Sequence, residues 1–245
     1  EADPTADVEG LDAADKIAIL SGLAFGGSID REAIPTKGIN KLQTRDLDYA
    51  KRLGYGVKLL AVAENLNFSK TQEISSTPLA LWVEPTLIPN DHPLASVNGV
   101  NNAILVEGDP IGEVMFYGPG AGAGPTASAV VADILNIAGI QIMGEKISSL
   151  DPLLSSSSWR DCEIVESTQI TQKNYIRLIT EDSPGVIGTI GNIFGENKVS
   201  IQSIVQFDSS NREAEIVVIT HEVKKGAIRN ALSKIETLSE VKKLE

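Results

Sequence analysis

Residues 174–245 show a regular order of strand and helix patterns that few folds can accommodate. Alternating or continuous apolar runs predict strands, whereas apolar residues at helical spacing predict helices. The predicted elements are a strand over Tyr175–Thr180, a helix over Pro184–Phe194 that Gly195 ends, strands over Val199–Phe207 and Glu213–Thr220, a helix over Lys224–Leu238 and a strand over Val241–Leu244. The order βαββαβ in so short a segment is that of a ferredoxin-like domain.

The preceding residues predict a larger α/β unit, in which helices cover a mixed sheet. Its predicted elements are helices over Leu11–Leu23, Gln43–Leu53 and Pro125–Ala138, strands over Val57–Ala63 and Leu79–Val83, and a hairpin of Asn101–Glu107 with Glu113–Tyr117. Asp7 or Asp12 is a candidate N-cap of the first helix, and Gly26-Gly27 is expected to end it. The chain as a whole is thus predicted to belong to the α+β class.

A segment without clear periodicity joins these two parts. It contains four consecutive serines, Ser155–Ser158, preceded by Pro152. Such a composition is typical of a linker or of a peripheral connection. We therefore expect one domain at residues 1–147, a linker at 148–173 and a second domain at 174–245.

Charge and composition exclude several classes of function. A net charge of −12 argues against a nucleic-acid or anionic-membrane surface. No uninterrupted apolar run approaches the roughly 18–20 residues that span a bilayer, so no membrane association is expected. The single cysteine, Cys162, fits a reducing, cytoplasmic setting. Two histidines and one cysteine cannot supply a usual zinc site, so no metal site is predicted, although one built from carboxylates stays open.

Three isolated residues of types common in active sites have no predicted catalytic role. His92 precedes Pro93 and is expected to shape a turn or to cap a helical turn that starts there. His221 follows a strand and is expected to be exposed. Cys162 lies in the serine-rich connection.

The acidic first segment contains a spaced acid and base. Asp12 and Lys16 are four residues apart on the predicted helix, so they share one face. Taken alone, such a pair is usually a surface ion pair worth about 0.3–0.5 kcal/mol. The surrounding residues point to more than that.

This segment resembles the homoserine dehydrogenase family, whose signature is Asp-Pro-x-x-Asp-(aliphatic)-x-Gly-x-Asp-x-x-x-Lys. The matching residues are Asp3, Pro4, Asp7, Val8, Gly10, Asp12 and Lys16. Further similar blocks lie at 85–95, 97–103 and 117–130. The resemblance covers roughly residues 1–147.

The resemblance implies a reversible conversion of L-homoserine and L-aspartate 4-semialdehyde, dependent on NAD or NADP, in threonine, methionine and isoleucine biosynthesis. It implies that Lys16 donates and accepts the proton at the reacting oxygen, where an alkoxide would otherwise develop. It also implies that Glu1 and Asp12 hold the amino-acid substrate. Asp7 is a supporting candidate that could equally be structural.

A glycine-rich loop leads into the helix predicted over Pro125–Ala138. The order strand, Gly118-x-Gly120-x-x-Ala123, helix imitates a dinucleotide fingerprint, but no further βαβ units follow to complete such a sheet. The resemblance implies instead that Gly120, with Gly118 and Gly122, contacts the nicotinamide side of the cofactor. Alternatively, the loop simply needs a positive φ or a close backbone approach.

Residues 174–245 resemble the ACT domain, a regulatory module that binds small molecules. The residues that carry the resemblance are Asp182, Ser183, Pro184, Gly185, Val186, Ile187 and Gly188, with Val199–Ile201 at the second strand. Free backbone N–H groups at a helix start can accept a carboxylate. The resemblance implies an amino-acid effector at Asp182 and Pro184–Gly188, with threonine expected. A domain that only dimerises remains the alternative.

The same resemblance implies a nucleotide-binding domain that these residues do not supply. We therefore expect the chain alone to be inactive, and the enzyme to be a homo-oligomer, either a dimer or a tetramer. Two alternatives of another class are a non-catalytic amino-acid sensor and a dimerisation protein built on the same domains.

Overall fold

The computed structural model describes residues 3–66, 76–143, 160–208 and 212–244. The helices are α1 Thr5–Val8, α2 Leu11–Phe25, α3 Thr44–Arg52, α4 Ala123–Met143, α5 Val186–Glu196 and α6 Lys225–Ile235. The strands are β1 Gly27–Ser28, β2 Tyr55–Asn65, β3 Ser76–Pro89, β4 Asn101–Gly108, β5 Gly112–Pro119, β6 Arg160–Ile164, β7 Thr171–Gln172, β8 Tyr175–Glu181, β9 Ile201–Asp208, β10 Glu213–Thr220, β11 Val223–Lys224 and β12 Val241–Leu244. Short 3₁₀ turns lie at Arg31–Ala33, Pro93–Ser96 and Ser167–Gln169.

The C-terminal sheet has the order β12-β8-β10-β9, and its three strand pairings are antiparallel. Alternate residues of the central strands, such as Leu178 and Ile216, lie opposite each other in register and are buried. They share one apolar core with Ile190 and Phe194 of α5 and with Ile235 of α6. The predicted ferredoxin-like βαββαβ topology is therefore confirmed. The predicted end of α5 at Phe194 is wrong by two residues, because the helix continues through Gly195 to Glu196.

A second four-stranded sheet has the order β1-β6-β3-β2, and β1 pairs with β6 in parallel. Helix α2 begins after Gly10, whose φ of +80° is left-handed, and ends at Gly26 with a φ of +71°. The predicted end of this helix is confirmed. The predicted N-cap, Asp7 or Asp12, is wrong because Thr5–Val8 forms a helical turn of its own and Gly10 turns the chain into α2.

The other predicted elements of the first part are present. Strands β4 and β5 form the predicted hairpin, with Gly108 opposite Gly112 across the turn. Helix α3 begins with a reciprocal capping box between Gln43 and Asp46, whose side chains bond each other's backbone N–H groups.

The predicted linker is partly regular structure. Its residues 148–159 lie outside the described residues, but β6 is built into a sheet and Ile170 is only 1% exposed. Compact packing divides the chain into one unit drawn from 1–31, 36–61 and 83–162 and another drawn from 32–35, 62–82 and 163–245. The domain boundaries at 147 and 174 stay a prediction.

Helix α4 is long and apolar enough to cross a membrane, judged by length and composition alone. The sequence prediction of no such segment is therefore wrong on this criterion, because scattered polar residues such as Asp133 shorten each apolar run without making the helix polar. A single helix of this kind is weak evidence for a membrane, and none of its apolar window is buried within the described part of the chain.

The C-terminal sheet also contains a buried ion pair. The guanidinium of Arg177 on β8 lies 2.8 Å from a carboxylate oxygen of Glu215 on β10, and their side chains are 0% and 6% exposed. Removing one partner of such a pair leaves a charge without compensation in a low-dielectric environment. The pair therefore makes the sheet sensitive to neutralisation at either position.

We predict that Glu215→Gln lowers the free energy of unfolding by about 3 kcal/mol, because the buried Arg177 loses the carboxylate that lies 2.8 Å from its guanidinium. A matched control is Glu213→Gln on the same strand, since Glu213 lies 3.3 Å from Lys242 in a pair whose side chains are 38% and 44% exposed. That control should cost less than about 1 kcal/mol. Urea denaturation of the two variants measures both values, and equal losses would contradict the prediction.

Candidate functional site

The acid and base of the first segment lie side by side on α2. A carboxylate oxygen of Asp12 is 2.6 Å from Nζ of Lys16, and their side chains are 43% and 56% exposed. The i, i+4 spacing accounts for the contact, since it places both side chains on one helix face. The exposed ammonium and carboxylate are thus held next to each other at a surface that a ligand can reach.

Close backbone packing fixes the start of this helix. A Cβ atom at Gly10 would lie 3.2 Å from Cγ1 of Val83, on β3, and 3.3 Å from Cγ2 of Thr36. Leu59, on β2, would be 3.7 Å away. Gly10 therefore combines a left-handed φ with an approach so close that a Cβ would require Val83 and Thr36 to shift by a few tenths of an ångström.

Arg31 contacts the first turns of the same helix, at the residues that come directly before Asp12 and Lys16. Its Nε donates to Oδ1 of Asp15 at 2.7 Å, and its terminal nitrogen lies 3.5 Å from the carbonyl oxygen of Leu11. Sequence reasoning missed this residue, because nothing in the spacing of an arginine and an aspartate sixteen positions apart indicates a contact. These two contacts hold Arg31 against the first turns of α2, which also carry Asp12.

The remaining predicted substrate residues lie before α2. Asp7 is exposed in α1, and Glu1 lies outside the described residues. Asp3 accepts hydrogen bonds from the hydroxyl and the backbone N–H of Thr5, at 2.6 and 3.0 Å. The hydroxyl bond first, and the backbone bond second, hold the pKa of the Asp3 carboxyl below its ordinary value.

Three glycines of the predicted cofactor loop lie between β5 and α4, or at their ends, and their reasons for being glycine differ. A Cβ at Gly120 would overlap Nδ2 of Asn102, so that side chain occupies the space. Gly122 has a φ of +124°. Gly118 has neither a positive φ nor an atom within 4 Å of a Cβ at that position. The backbone N–H of Gly120 donates to the carbonyl oxygen of Val100 at 3.0 Å.

The sequence-predicted residues of the first unit fall into two groups. Asp12 contacts Lys16, and Gly120 contacts the segment that leads into β4. Within the described residues, no hydrogen bond or ion pair joins Asp12 or Lys16, the α2 pair, to the glycine loop. His92 takes the predicted capping role, since its Nδ1 accepts from the backbone N–H of Leu94 at 3.2 Å.

A small cavity at the start of α5 brings the predicted effector residues together. Its volume is about 220 Å³, and its lining includes Asp182, Pro184, Gly185, Val186, Ile187 and Gly188. Gly185 has a left-handed φ of +96° and α5 has no side-chain cap, which leaves its first N–H groups available to a ligand. The sequence prediction missed several further lining residues, among them Gln206, Ala214 and Ile216, which come from neighbouring strands.

One polar contact orders the wall of this cavity. Nε2 of Gln206 donates to Oδ1 of Asp182 at 3.2 Å. The other carboxylate oxygen stays available as an acceptor. The cavity therefore combines N–H donors at a helix start with a carboxylate a few residues earlier.

No group of His, Cys, Asp and Glu side chains suited to a metal ion occurs among the residues that the structure describes. The cavity and the Asp12–Lys16 pair are two arrangements in those residues that could hold a ligand through charge.

Comparison with known proteins assigns both parts of the chain. Residues 1–135 match the homoserine dehydrogenase family. The chain belongs to that family. Residues 174–240 match the ACT domain.

Relatives named homoserine dehydrogenase align over nearly the whole chain. The protein from Synechocystis is 51% identical over 100% of this chain and 55% of its own length, and that from Neisseria gonorrhoeae is 40% identical over 99% and 54%. A solved homoserine dehydrogenase from Thiobacillus denitrificans is similar with a TM-score of 0.89 and 36% identity, over 100% of this chain and 54% of that one. The chain therefore spans about half the length of the homoserine dehydrogenases it matches.

We predict that Gly10→Ala destabilises the chain more than Gly26→Ala. Both glycines have a left-handed φ, which costs an L-residue about 1–2 kcal/mol, but no atom lies within 4 Å of a Cβ at Gly26. At Gly10 the contacts with Val83 and Thr36 add about 1–3 kcal/mol of overpacking. Urea midpoints of the two variants give the difference, and identical midpoints would show that the close approach is relieved without cost.

Proposed function

We propose that this chain is the substrate-binding and regulatory part of a homoserine dehydrogenase that interconverts L-homoserine and L-aspartate 4-semialdehyde with NAD or NADP. The family match over residues 1–135 and the contact of Asp12 with Lys16 on α2 support the proposal. Homoserine dehydrogenases take part in amino-acid biosynthesis, and we place this one in threonine, methionine and isoleucine biosynthesis. The cytoplasm is the proposed location, in keeping with a chain whose single cysteine is Cys162.

Lys16 is the proposed proton carrier. In the direction of reduction, its ammonium donates a proton to the aldehyde oxygen while the carbonyl carbon gains a hydride. In the direction of oxidation, its neutral amine accepts the hydroxyl proton of homoserine. Asp12, 2.6 Å away, orients Nζ and so keeps the proton directed at one oxygen.

The acidic residues around α2 are proposed to bind the amino acid. Carboxylates at Glu1 and Asp12 compensate the substrate ammonium and fix its orientation, and Asp7 supports them. A nicotinamide cofactor, when bound, supplies or accepts the hydride. The loop at Gly118, Gly120 and Gly122 suits a close approach to a flat ring, because Gly120 has no room for a side chain and presents its backbone. We propose that this loop lies at the nicotinamide side.

We predict that Lys16→Met in the whole enzyme lowers kcat by about 10²–10⁴-fold, the usual contribution of a positioned acid–base group. A matched control is Lys41→Met, which removes an exposed lysine from a loop of the same unit. Steady-state oxidation of homoserine, followed by nicotinamide absorbance, measures both variants. The control should keep wild-type activity, and a Lys16→Met enzyme within threefold of wild type would contradict the proposed role.

The cavity at α5 is the proposed effector site, with threonine as the effector. The first N–H groups of α5 suit the carboxylate of an amino acid, and Asp182 suits its ammonium. The cavity volume, about 220 Å³, is below the roughly 300–1,000 Å³ of pockets for drug-sized ligands, so a single small amino acid fits its scale. Threonine is the end product that feedback would sense.

We predict that threonine raises the thermal midpoint of the 245-residue chain. At 100 times its dissociation constant, a ligand stabilises the folded state by about 2.7 kcal/mol. Asp182→Asn should abolish most of the shift because the ligand ammonium loses its counter-charge. Glu222→Gln, which neutralises an exposed acid elsewhere in the ACT domain, should leave the shift unchanged.

A thermal midpoint that threonine does not change in the wild-type chain would contradict the effector site. It would favour an ACT domain that serves only in subunit contacts. A scanning fluorimetry series with threonine, serine and isoleucine distinguishes a specific site from a general effect of added amino acids.

A homo-oligomer is the proposed assembly. Apolar side chains lie exposed along α4 and on the hairpin of β4 and β5. They are Val130, Val131, Ile134, Leu135, Ile137, Ile140 and Ile142 on the helix, and Ile104, Val106, Met115 and Phe116 on the hairpin. Exposed apolar area of this extent is typical of a surface that another chain or domain covers. We propose that a second copy covers part of it.

A further inference from the structure

Lys58 makes an unusual pair of contacts for a lysine on a sheet. It lies on β2, and its Nζ donates to the carbonyl oxygen of Val97 and, at 3.0 Å, to Oδ1 of Asn98. Within the described residues it has no carboxylate partner. Its ammonium therefore contacts two uncharged oxygen atoms, and both belong to one short segment.

The direction of the side chain separates Lys58 from the α2 site. Successive residues of a strand point to opposite faces. Leu59, its neighbour on β2, faces Gly10 at the start of α2. Lys58 therefore faces the other way, toward the segment that follows the 3₁₀ turn Pro93–Ser96.

The segment that Lys58 holds is internally ordered. Nδ2 of Asn98 donates to the carbonyl oxygen of Ser96 at 3.1 Å, which fixes the amide so that Oδ1 faces the ammonium. Nδ2 of Asn101 donates to the phenol oxygen of Tyr117, on β5, at 2.7 Å. The segment is therefore attached to β2 at one end and to the hairpin at the other.

The same segment supports the glycine loop. The carbonyl oxygen of Val100 accepts the N–H of Gly120 at 3.0 Å, and the side chain of Asn102 fills the space beside the Cα of Gly120. Only Gly99 separates Asn98 from Val100, so a shift of the lysine-bound end moves the acceptor of Gly120. The contacts form one continuous path from Lys58 to the loop.

We propose that Lys58 is a positioning residue. Through its contacts with residues 97–102, it fixes the position of the glycine loop. The catalytic consequence rests on the proposed function, in which the loop contacts the nicotinamide side of the cofactor. Within the described residues, no hydrogen bond or ion pair joins Lys58 to Asp12 or Lys16. Its removal should weaken cofactor binding and leave proton transfer at Lys16 unchanged.

The kinetic test uses the whole enzyme with the variants Lys58→Met and Lys58→Arg. Lys58→Met keeps an apolar stem but loses the donors, so the KM for the nicotinamide cofactor should rise about tenfold, whereas kcat and the KM for homoserine stay within about twofold. Lys58→Arg keeps charged donors and should recover most of the loss. Lys51→Met, which removes an exposed lysine from α3 in the same unit, should change nothing.

A structural test does not depend on activity. In the 245-residue chain, Lys58→Met should raise the hydrogen-exchange rate of the Gly120 amide about tenfold, because its acceptor Val100 is no longer held in place. Lys51→Met should leave that rate unchanged, as should Lys58→Arg within about threefold.

The two tests separate the inference from the proposed function. Faster exchange at Gly120 without a cofactor-specific KM effect would sustain the positioning role and contradict the placement of the loop at the cofactor. Unchanged exchange would overturn the inference, whatever the kinetics. An equal rise of both KM values with a lower thermal midpoint would also overturn it, since that result indicates general destabilisation.

Discussion

The close approach of Gly10 to Val83 and Thr36 is the contact on which the candidate catalytic helix depends. It sets where α2 begins and how near its axis comes to β3, and Asp12 and Lys16 follow within two turns. Exposed side chains have no packing of their own to define their position. The positions of Asp12 and Lys16 therefore depend on the backbone of α2. That backbone lies this close to the sheet because Gly10 has no side-chain methyl group.

Local patterns predicted most elements and the face that Asp12 and Lys16 share, because helical spacing and strand alternation depend only on near neighbours. These patterns could not predict contacts between residues that lie far apart in the sequence. Nothing in the sequence indicated that Arg31 contacts α2, that Gln206 lines the α5 cavity, or that Asn102 fills the space beside Gly120. Each of these depends on strands and turns that meet only in the folded chain.

The errors of prediction have physical causes of the same kind. The N-cap of α2 was assigned to a side-chain acceptor, Asp7 or Asp12, whereas a left-handed glycine turns the chain there. The serine-rich connection lacked periodicity, yet β6 within it pairs with β1, because short strands in a sheet need little pattern of their own. The roles of the predicted site residues rest on the family resemblance, while the structure supplies the contacts that would enable those roles.

Helix α4 has a consequence for how molecules of this protein meet. The chain bears a net charge of −12, but the sequence of α4 includes one charged residue, Asp133. Like-charge repulsion keeps acidic proteins apart in solution, and it is weakest where the surface lacks charge. Encounters between chains, whether they lead to an ordered assembly or to precipitation, should therefore begin along this helix, and low salt will not prevent them there.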